Sequence, residues 1–324
     1  MKLRLNNFWR SAAVCGLLIG AVSGFGCGER EVGEISAETE AIGELTFIFQ
    51  KQKEPDALRE AAAQVGTALE AELGVPVRVV VPGDYSASVQ ALVSQTADVA
   101  YVSSLPFLLA RRDGGARLLL AEERTDLQGV TRTEYDSLMV VPVDSDLQDL
   151  DDLKAQAGEV RFCFTSPTST SGYVFPRLRL VQEEILAAGQ EPSEVFGQVS
   201  YGGGYAQALR EVLDGRADVA AVSFYTVEGP RADVYLTEAE RTQLRVLART
   251  PGVPTHVVCV RSGLSEEWAE RIKQALLKLG AESPELLSDV YGTARMVETD
   301  EDAHVSAAVA AVEATGLPLT DLNR

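Results

Sequence analysis

The chain has 324 residues, of which 46% are hydrophobic and 24% charged, a composition typical of a globular protein rather than a disordered or fibrous one. This length exceeds what one core usually holds and suggests two domains. The 48 acidic residues outnumber the 29 basic ones, which gives a formal net charge of -19. Nucleic-acid binding, which depends on neutralising phosphates with basic residues, is therefore excluded. With 2 His and 4 Cys, the chain also has too few ligands for an obvious zinc or iron–sulfur site.

The first residues have the pattern of an export signal. Lys2, Arg4 and Arg10 precede a short apolar run at 11–25, and this run is too short to span a bilayer. The run leads to Cys27 and resembles a bacterial lipoprotein signal, in which cleavage before the cysteine leaves a lipidated first residue, although a Gly stands where Leu is usual. We predict a signal peptide at 1–26, a lipid on Cys27 and a Glu-rich tether at 27–44. A secretory signal cut near Gly26 without a lipid is the alternative.

Two cysteines remain within the body of the chain. Cys163 and Cys259 each lie in a run typical of a β-strand. An oxidising compartment permits a disulfide between them. We favour two buried thiols, because free Cys is a normal small core residue.

Strands and helices alternate along the rest of the sequence. A short apolar strand at Leu45–Phe49 is followed by apolar residues at helical spacing over Pro55–Leu73. Such interleaving predicts parallel α/β layers. Further strands are predicted at 75–81, 97–102, 137–143, 160–164, 195–201, 217–222 and 255–260, and further helices at 86–94, 173–188, 206–213, 265–279, 284–290 and 301–315.

An internal repeat links the two halves of this pattern. Residues 85–103 and 205–223 align without a gap, and both begin with Tyr, contain Ala-Asp-Val-Ala and end with Ser. The repeat predicts one helix–strand unit used twice, and chance similarity between two amphipathic units is the alternative. Each unit offers a helix N-terminus and a strand C-terminus at the sheet edge where ligands bind in open α/β sheets. Two such edges that face each other form a cleft between lobes.

The segment at 165–173 is rich in Ser and Thr and lies between a predicted strand and a predicted helix. Hydroxyls and backbone N–H groups at the positive end of a helix dipole bind an oxyanion without requiring Lys or Arg. Simple N-capping is the alternative, because Ser and Thr also favour caps. A single cap needs only one hydroxyl, so we favour anion binding.

The run Ser169-Thr170-Ser171-Gly172-Tyr173, with a Pro three residues later, resembles the signature of periplasmic phosphonate-, phosphite- and phosphate-type substrate-binding proteins of ABC transporters. Further similarity extends the resemblance over about residues 45–300. The resemblance implies a type II periplasmic-binding-protein fold, with two α/β lobes joined by a two-strand hinge and a ligand cleft between them. The implied boundaries are 45–142 plus 251–324 for lobe 1 and 143–250 for lobe 2.

The resemblance also implies a function and a set of binding residues. We expect a monomeric, non-enzymatic protein without a cofactor that captures a phosphorus oxyanion in the periplasm and delivers it to an inner-membrane permease. Ser223 and Tyr225 end a predicted strand and are further candidates. Carried over by position, the ligand-binding residues are Ser169, Thr170, Ser171, Gly172, Tyr85 from the opposite lobe, Tyr101 in the pocket lining and Tyr205.

The sequence differs from the family pattern at the start of the second-lobe helix. Tyr205 and Ala206 stand where the family often has His and then Asp. Tyr205 can donate a hydrogen bond but cannot carry the charge of a histidine. This puts the non-phosphoryl side of the ligand, or its protonation state, in doubt. A packing role for Tyr205 is the alternative.

Two other functions stay open at this point. The first is an exported phosphotransfer enzyme or phosphoester hydrolase that uses the hydroxyls as an oxyanion clamp, although hydrolysis would need a metal or an activated nucleophile. The second is a receptor of the same fold coupled to a signalling partner. The sequence also leaves open whether the ligand is phosphate, phosphite, methylphosphonate or aminoethylphosphonate.

Overall fold

The computed structural model describes residues 42–293 and 295–318, so the predicted signal peptide and Cys27 lie outside the described residues. The strands are β1 (Leu45–Phe49), β2 (Val77–Val80), β3 (Val99–Val102), β4 (Arg117–Thr125), β5 (Thr131–Arg132), β6 (Glu134–Pro142), β7 (Arg161–Phe164), β8 (Gln198–Tyr201), β9 (Val219–Ser223), β10 (Leu244–Pro254), β11 (Val257–Val260) and β12 (Arg295–Val297). The α-helices are α1 (Pro55–Leu73), α2 (Tyr85–Val93), α3 (Ser104–Gly114), α4 (Leu150–Gln156), α5 (Phe175–Gln182), α6 (Tyr205–Leu213), α7 (Glu238–Arg241), α8 (Glu266–Glu282), α9 (Pro284–Tyr291) and α10 (Glu301–Thr315).

The strands form two sheets. The first has the order β12-β4-β11-β3-β1-β2, with β5 paired to β4, and the second has the order β10-β6-β9-β7-β8. β1 runs parallel to β2 and β3, and β7 runs parallel to β8 and β9, while the strands on the other side of each sheet are antiparallel. Helices α1, α8 and α9 cover one face of the first sheet with apolar side chains. This two-sheet arrangement confirms the predicted α/β class with two lobes.

The internal repeat folds as predicted. α2 and β3 in the first sheet correspond to α6 and β9 in the second. The Asp that both units share has the same function in each, because Asp98 Oδ2 accepts a hydrogen bond from Thr46 N and Asp218 Oδ2 accepts one from Arg161 N, each at 2.8 Å. Each carboxylate thereby fastens the start of the strand in its unit, β3 or β9, to the neighbouring parallel strand, β1 or β7.

The chain passes between the sheets at two adjacent points. It leaves the first sheet after β5 and returns after β10, and at the crossing Thr255 N donates a hydrogen bond to Thr133 O at 3.0 Å. The boundaries drawn from the sequence, 142/143 and 250/251, fall at the end of β6 and inside β10, two strands that both belong to the second sheet. α10 packs against α5 and β10, and also against α3.

The structure adds elements where the sequence predicts none. α3 and β4 lie within residues 103–136, and β10 is the longest strand of the described chain. β4 lacks a simple apolar pattern because Glu122 and Arg124 are both buried in it. β10 contains two prolines and two shifts of register, which hide its strand character. The helix predicted at 173–188 is a π-helical turn at Thr170–Val174 followed by α5, which ends at Gln182.

Cys163 and Cys259 lie in different sheets, on β7 and β11, and both are buried free thiols. This confirms the interpretation favoured from the sequence. Burial raises the pKa of both thiols. Within the described residues, no helix combines the length and the apolar character needed to cross a membrane.

Candidate functional site

The Ser/Thr-rich segment forms a tight turn between β7 and α5. Ser169 Oγ accepts a hydrogen bond from Gly172 N at 3.0 Å, which closes the start of the π-helical turn. A Cβ on residue 172 would lie 2.2 Å from Thr165 Oγ1 and 2.8 Å from Ser169 Oγ, so only glycine fits. Ser169, Gly172 and their neighbours are buried. Short π-helical segments of this kind often occur at functional sites.

Ser171 lies at the centre of a hydroxyl network. Its Oγ shares a hydrogen bond with Tyr205 OH at 2.9 Å and accepts one from Tyr135 OH at 3.2 Å. We call Ser171, Tyr135 and Tyr205 the Ser171 cluster. The neighbouring Thr170 Oγ1 accepts a hydrogen bond from Leu105 N of α3 at 2.9 Å. The predicted binding segment therefore contacts elements of both sheets.

The loop after β1 closes the site from the side of the first sheet. Gln52 O accepts hydrogen bonds from Tyr205 N at 3.0 Å and from Ala206 N at 3.3 Å, at the start of α6. Its side-chain Oε1 accepts a hydrogen bond from Tyr225 OH at 3.3 Å. The N-terminus of α6, which the repeat offers as a ligand site, is thus occupied by a backbone carbonyl of the first lobe. Gln52 was not among the residues predicted from the sequence.

Arg124 Nη2, Gln207 Oε1 and His256 Nε2 are buried without a hydrogen-bond partner. Four further buried polar atoms, all on neutral hydroxyl or amide groups, also lack a partner of ordinary geometry. Each can donate a hydrogen bond, and we call these residues the donor set. Burying a polar group without a partner is costly, so each such group in a folded protein requires an explanation. The atoms are Gln52 Nε2, Tyr85 OH, Ser88 Oγ and Ser223 Oγ.

Two members of the donor set lie on α2, and one of them interacts with tyrosines of the Ser171 cluster. Tyr85 begins α2 and Ser88 follows one turn later on the same helix. Burial, and then electrostatic interaction with Tyr205, raises the pKa of Tyr85 well above its ordinary value, with Tyr135 a further contributor. The Tyr85 hydroxyl, which has the Gln50 side chain as a neighbour, is therefore protonated and available to donate.

Ser223 approaches the cluster from the second sheet. It ends β9 and lies directly opposite Ser137 of β6. Ser137 Oγ donates a hydrogen bond to Ser171 O at 2.6 Å. The donor set therefore comes from both parts of the molecule, since three members lie on elements next to the first sheet and Ser223 ends a strand of the second.

Tyr101 serves a different network. Its hydroxyl donates to the buried carboxylate of Glu122, which also accepts from Arg124 Nε at 2.5 Å, His256 Nδ1 at 2.9 Å and Thr293 Oγ1 at 2.6 Å. Burial alone would raise the pKa of Glu122, but Arg124 and His256 hold it well below its usual range. The carboxylate is therefore ionised and fully paired. The structure therefore does not bring Tyr101 to the Ser171 cluster, because its hydroxyl is held by Glu122 and its ring packs against Phe49, His256 and Tyr291.

The structure brings most of the predicted residues together. Thr170, Ser171, Tyr85, Tyr205 and Tyr225 meet at the cluster and Ser223 joins it, while Ser169 and Gly172 shape the turn. Sequence reasoning missed Tyr135, Gln52 and Ser88. Ser88 could have been found from its position one helical turn after Tyr85, whereas Tyr135 precedes the strand predicted at 137–143 and no sequence signal marks it.

A cavity of about 360 Å³ lies at the crossing between the sheets, next to Tyr135 of the Ser171 cluster and Arg124. Its lining also includes Arg132 and Arg249. Arg249 pairs with Asp136 at 2.9 Å and also with Glu228, and Arg132 lies 3.6 Å from Asp126. These paired charges favour the donor set over the cavity as the site for an anion. In the part of the chain that the structure describes, no group of three His, Cys, Asp or Glu could hold a metal ion.

Both histidines of the chain are buried, which predicts a specific response to acid. Burial lowers the pKa of His256 and of His304, although Glu122 and the carbonyl of Thr255 oppose this effect respectively. Each histidine must gain a proton when the chain unfolds below an unfolded pKa of about 6.5. We expect the free energy of unfolding to fall as the pH drops below about 6.5, with each histidine contributing a slope that approaches about 1.4 kcal/mol per pH unit. Urea unfolding between pH 7 and 5 measures this slope, and a constant free energy of unfolding would contradict the prediction.

Known proteins share this sequence pattern and fold. Residues 47–304 match the family of ABC transporter, phosphonate, periplasmic substrate-binding proteins. The chain is 24% identical over 276 residues to the phosphate-import protein PhnD of Mycolicibacterium smegmatis, covering 84% of this chain and 82% of the relative. It is 25% identical over 214 residues to the phosphonates-binding periplasmic protein of Escherichia coli, covering 65% of this chain and 59% of the relative.

Two solved structures have a similar fold. A binding protein component of an ABC phosphonate transporter from Pseudomonas aeruginosa gives a TM-score of 0.71 at 19% identity, covering 86% of this chain and 94% of the other. PhnD1 from Prochlorococcus marinus in complex with methylphosphonate gives 0.70 at 18% identity, covering 84% and 97%. Because the family match extends over most of the described residues, the chain belongs to the periplasmic substrate-binding proteins of ABC phosphonate transporters.

Proposed function

We propose that the protein captures a small phosphorus oxyanion, a phosphonate, phosphite or phosphate, between its two lobes and delivers it to an ABC permease. The observation that carries this proposal is the donor set, in which buried hydrogen-bond donors without a partner come from both parts of the molecule. A phosphoryl group presents several acceptor oxygens to these donors. Hydrogen bonds to a charged group contribute roughly 1.5–3 kcal/mol each. The binding of methylphosphonate by the Prochlorococcus protein supports the same ligand class.

We propose that the two lobes close over the ligand, and contacts between them support this proposal. We propose that residues 45–133 and 255–297 form one lobe and residues 134–254 the other. Two hydrogen bonds join the lobes. Tyr235 OH donates one to Tyr291 O, and Leu105 N donates the other to Thr170 Oγ1, each at 2.9 Å. Contacts of this kind form when a hinged protein closes and separate when it opens. A monomer suffices for this mechanism.

We propose that the protein binds its ligand without catalysing a reaction. An activated serine nucleophile needs a base as its hydrogen-bond partner. Ser171 is instead bonded to two tyrosine hydroxyls, and burial raises the pKa of Tyr135 well above its ordinary value. This environment favours a receptor over the alternative of an exported phosphoester hydrolase. A signalling partner in place of the permease would leave the binding site unchanged.

Removing one donor tests the proposal. Isothermal titration calorimetry should show binding of methylphosphonate, phosphite or phosphate, with sulfate as the comparison anion. Ser223→Ala should weaken binding of the preferred ligand at least about tenfold, because a lost hydrogen bond to a charged group exceeds the 1.4 kcal/mol that corresponds to tenfold in affinity. The melting temperature without ligand should not fall, because Ser223 Oγ has no protein partner.

The repeat supplies a matched control. Ser103 occupies the equivalent position in the first lobe, but its Oγ is bonded to the Gln50 side chain. Ser103→Ala should therefore lower the melting temperature of the ligand-free protein. Failure of all three phosphorus oxyanions to bind would overturn the proposed function, and wild-type affinity in Ser223→Ala would remove Ser223 from the site.

We also propose that the protein is anchored to the outer face of the cell membrane through a lipid on Cys27. The support is the resemblance of the first residues to a lipoprotein signal, together with the periplasmic family. Cys27→Ser should release the protein from the membrane fraction into the soluble periplasmic fraction. A wild-type protein that is already soluble there would contradict the anchor.

A further inference from the structure

Resting on the proposed function, we infer that this site selects phosphorus oxyanions with an uncharged substituent and rejects those with a cationic one. The first class includes methylphosphonate and phosphite, and the second is represented by 2-aminoethylphosphonate. The inference concerns the side of the ligand that the phosphoryl oxygens do not occupy. It rests on how the buried charges near the cleft are already paired.

A buried ammonium group needs a carboxylate partner, because an unpaired charge removed from water is strongly unfavourable. Among the buried polar side chains of the described residues, Glu122 is the only carboxylate. The acids on or next to the elements that border the site are exposed or paired. Asp84 is exposed and caps α2 through Ala87 N, and Glu134 is exposed at the start of β6. Ion pairs engage Glu54 with Arg210 at 3.0 Å, Asp136 with Arg249 at 2.9 Å and Glu211 with Arg216 at 2.9 Å.

Glu122 has no capacity left for a ligand cation. One of its oxygens accepts from Arg124 and His256, and the other accepts from Tyr101 and Thr293. Its negative charge is balanced by the guanidinium of Arg124, which is itself buried. A ligand ammonium could reach this carboxylate only by displacing those partners.

The aromatic surface of the site is also engaged by a cation. An ammonium group without a carboxylate can bind on the face of an aromatic ring. The guanidinium carbon of Arg124 lies 3.5 Å from the centre of the Tyr225 ring. Tyr225 in turn contacts Gln52, a member of the donor set. The face of the Tyr225 ring is therefore already occupied by a guanidinium, which leaves no room there for a ligand ammonium group.

The donor set is chemically complementary to the phosphoryl end of the ligand. Amide and hydroxyl groups satisfy the negatively charged oxygens of a phosphoryl group and offer little to an ammonium group, which can only donate. The uncharged end of methylphosphonate, or the hydrogen of phosphite, requires no polar partner. The unpaired hydroxyl and amide donors therefore match the oxyanion end of a ligand. The unpaired amide oxygen of Gln207 is uncharged and cannot balance the charge of a ligand ammonium group.

Calorimetry with three phosphonates separates charge from size. Propylphosphonate and 2-aminoethylphosphonate have the same number of non-hydrogen atoms but differ in the charge of the substituent. We expect 2-aminoethylphosphonate to bind at least a hundredfold more weakly than propylphosphonate, with methylphosphonate as the reference ligand. A smaller ratio, or equal exclusion of both longer ligands, would overturn the inference and leave the proposed function intact. Failure of all ligands, including phosphite and phosphate, would instead overturn the proposed function.

An isosteric charge change provides an independent test. Gln52→Glu replaces the unpaired Nε2 of a buried amide with a carboxylate oxygen. We expect methylphosphonate to bind at least a hundredfold more weakly and the preference for propylphosphonate over 2-aminoethylphosphonate to shrink at least tenfold. The exposed Gln64→Glu carries the same change of charge and should alter neither value. An unchanged preference in a folded Gln52→Glu protein would count against the inference, and the wild-type ratio stands as a test if this variant does not fold.

Discussion

Glu122→Gln is expected to lower the free energy of unfolding by about 3–5 kcal/mol, the range found when one partner of a buried ion pair is removed. Gln has nearly the same shape as Glu, so the change removes the charge without creating a cavity. The guanidinium of Arg124 would then be buried without its counter-ion, and the hydroxyls of Tyr101 and Thr293 would face an amide in place of a carboxylate. Urea denaturation at neutral pH measures the loss.

The adjacent residue supplies the control. Glu123 forms an ion pair with Arg295, whose side chain is 63% exposed. Exposed pairs contribute about 0–1 kcal/mol, so Glu123→Gln should change the free energy of unfolding by no more than that. A double variant with Arg124→Met should recover part of the loss, because it removes the unpaired charge. Equal stability of Glu122→Gln and Glu123→Gln would show that the Glu122 carboxylate does not stabilise the fold through its buried partners.

Gly172→Ala is expected to abolish measurable ligand binding, with an affinity loss of at least about a hundredfold, equivalent to about 2.8 kcal/mol. The added Cβ would overlap Thr165 Oγ1 at 2.2 Å and Ser169 Oγ at 2.8 Å. Thr165 cannot move freely, because its hydroxyl donates to Ala221 O of β9 at 2.8 Å. The turn must therefore shift as a whole, and Ser171 shifts with it.

A second glycine separates this effect from the general consequence of adding a methyl group. A Cβ on residue 158 would have no other atom within 4 Å, so Gly158→Ala should leave affinity and melting temperature unchanged. Overpacking at residue 172 should also cost about 1–3 kcal/mol of stability. If Gly172→Ala binds methylphosphonate as the wild type does, the turn does not hold the ligand.

The repeat and the Ser/Thr-rich segment were predictable because each depends on short-range sequence order. A helix N-terminus at Tyr205 and a strand that ends at Ser223 follow from apolar periodicity and from the match to residues 85–103. The glycine at 172 could be placed at a turn for the same reason. These local features correctly located the residues that the fold then brings together.

The remaining features depend on contacts between distant parts of the chain. Gln52 reaches the site because β1 ends there, but its carbonyl fills the N-terminus of α6 only after the two sheets meet, 153 residues further along. Glu122 and Arg124 interrupt the apolar pattern of β4. Their burial depends partly on a hydrogen bond from His256, which lies where the chain returns to the first sheet. The periodicity of a single segment does not predict contacts between distant parts of the chain.

The most direct test of the proposed binding site is a crystal structure of the protein with methylphosphonate. We expect the phosphorus atom next to the Ser171 cluster, with its oxygens at hydrogen-bond distance from Tyr85 and Ser223 and from the Gln52 amide. Density for the ligand in the cavity at the crossing between the sheets, against Arg132 and Arg249, would contradict this site.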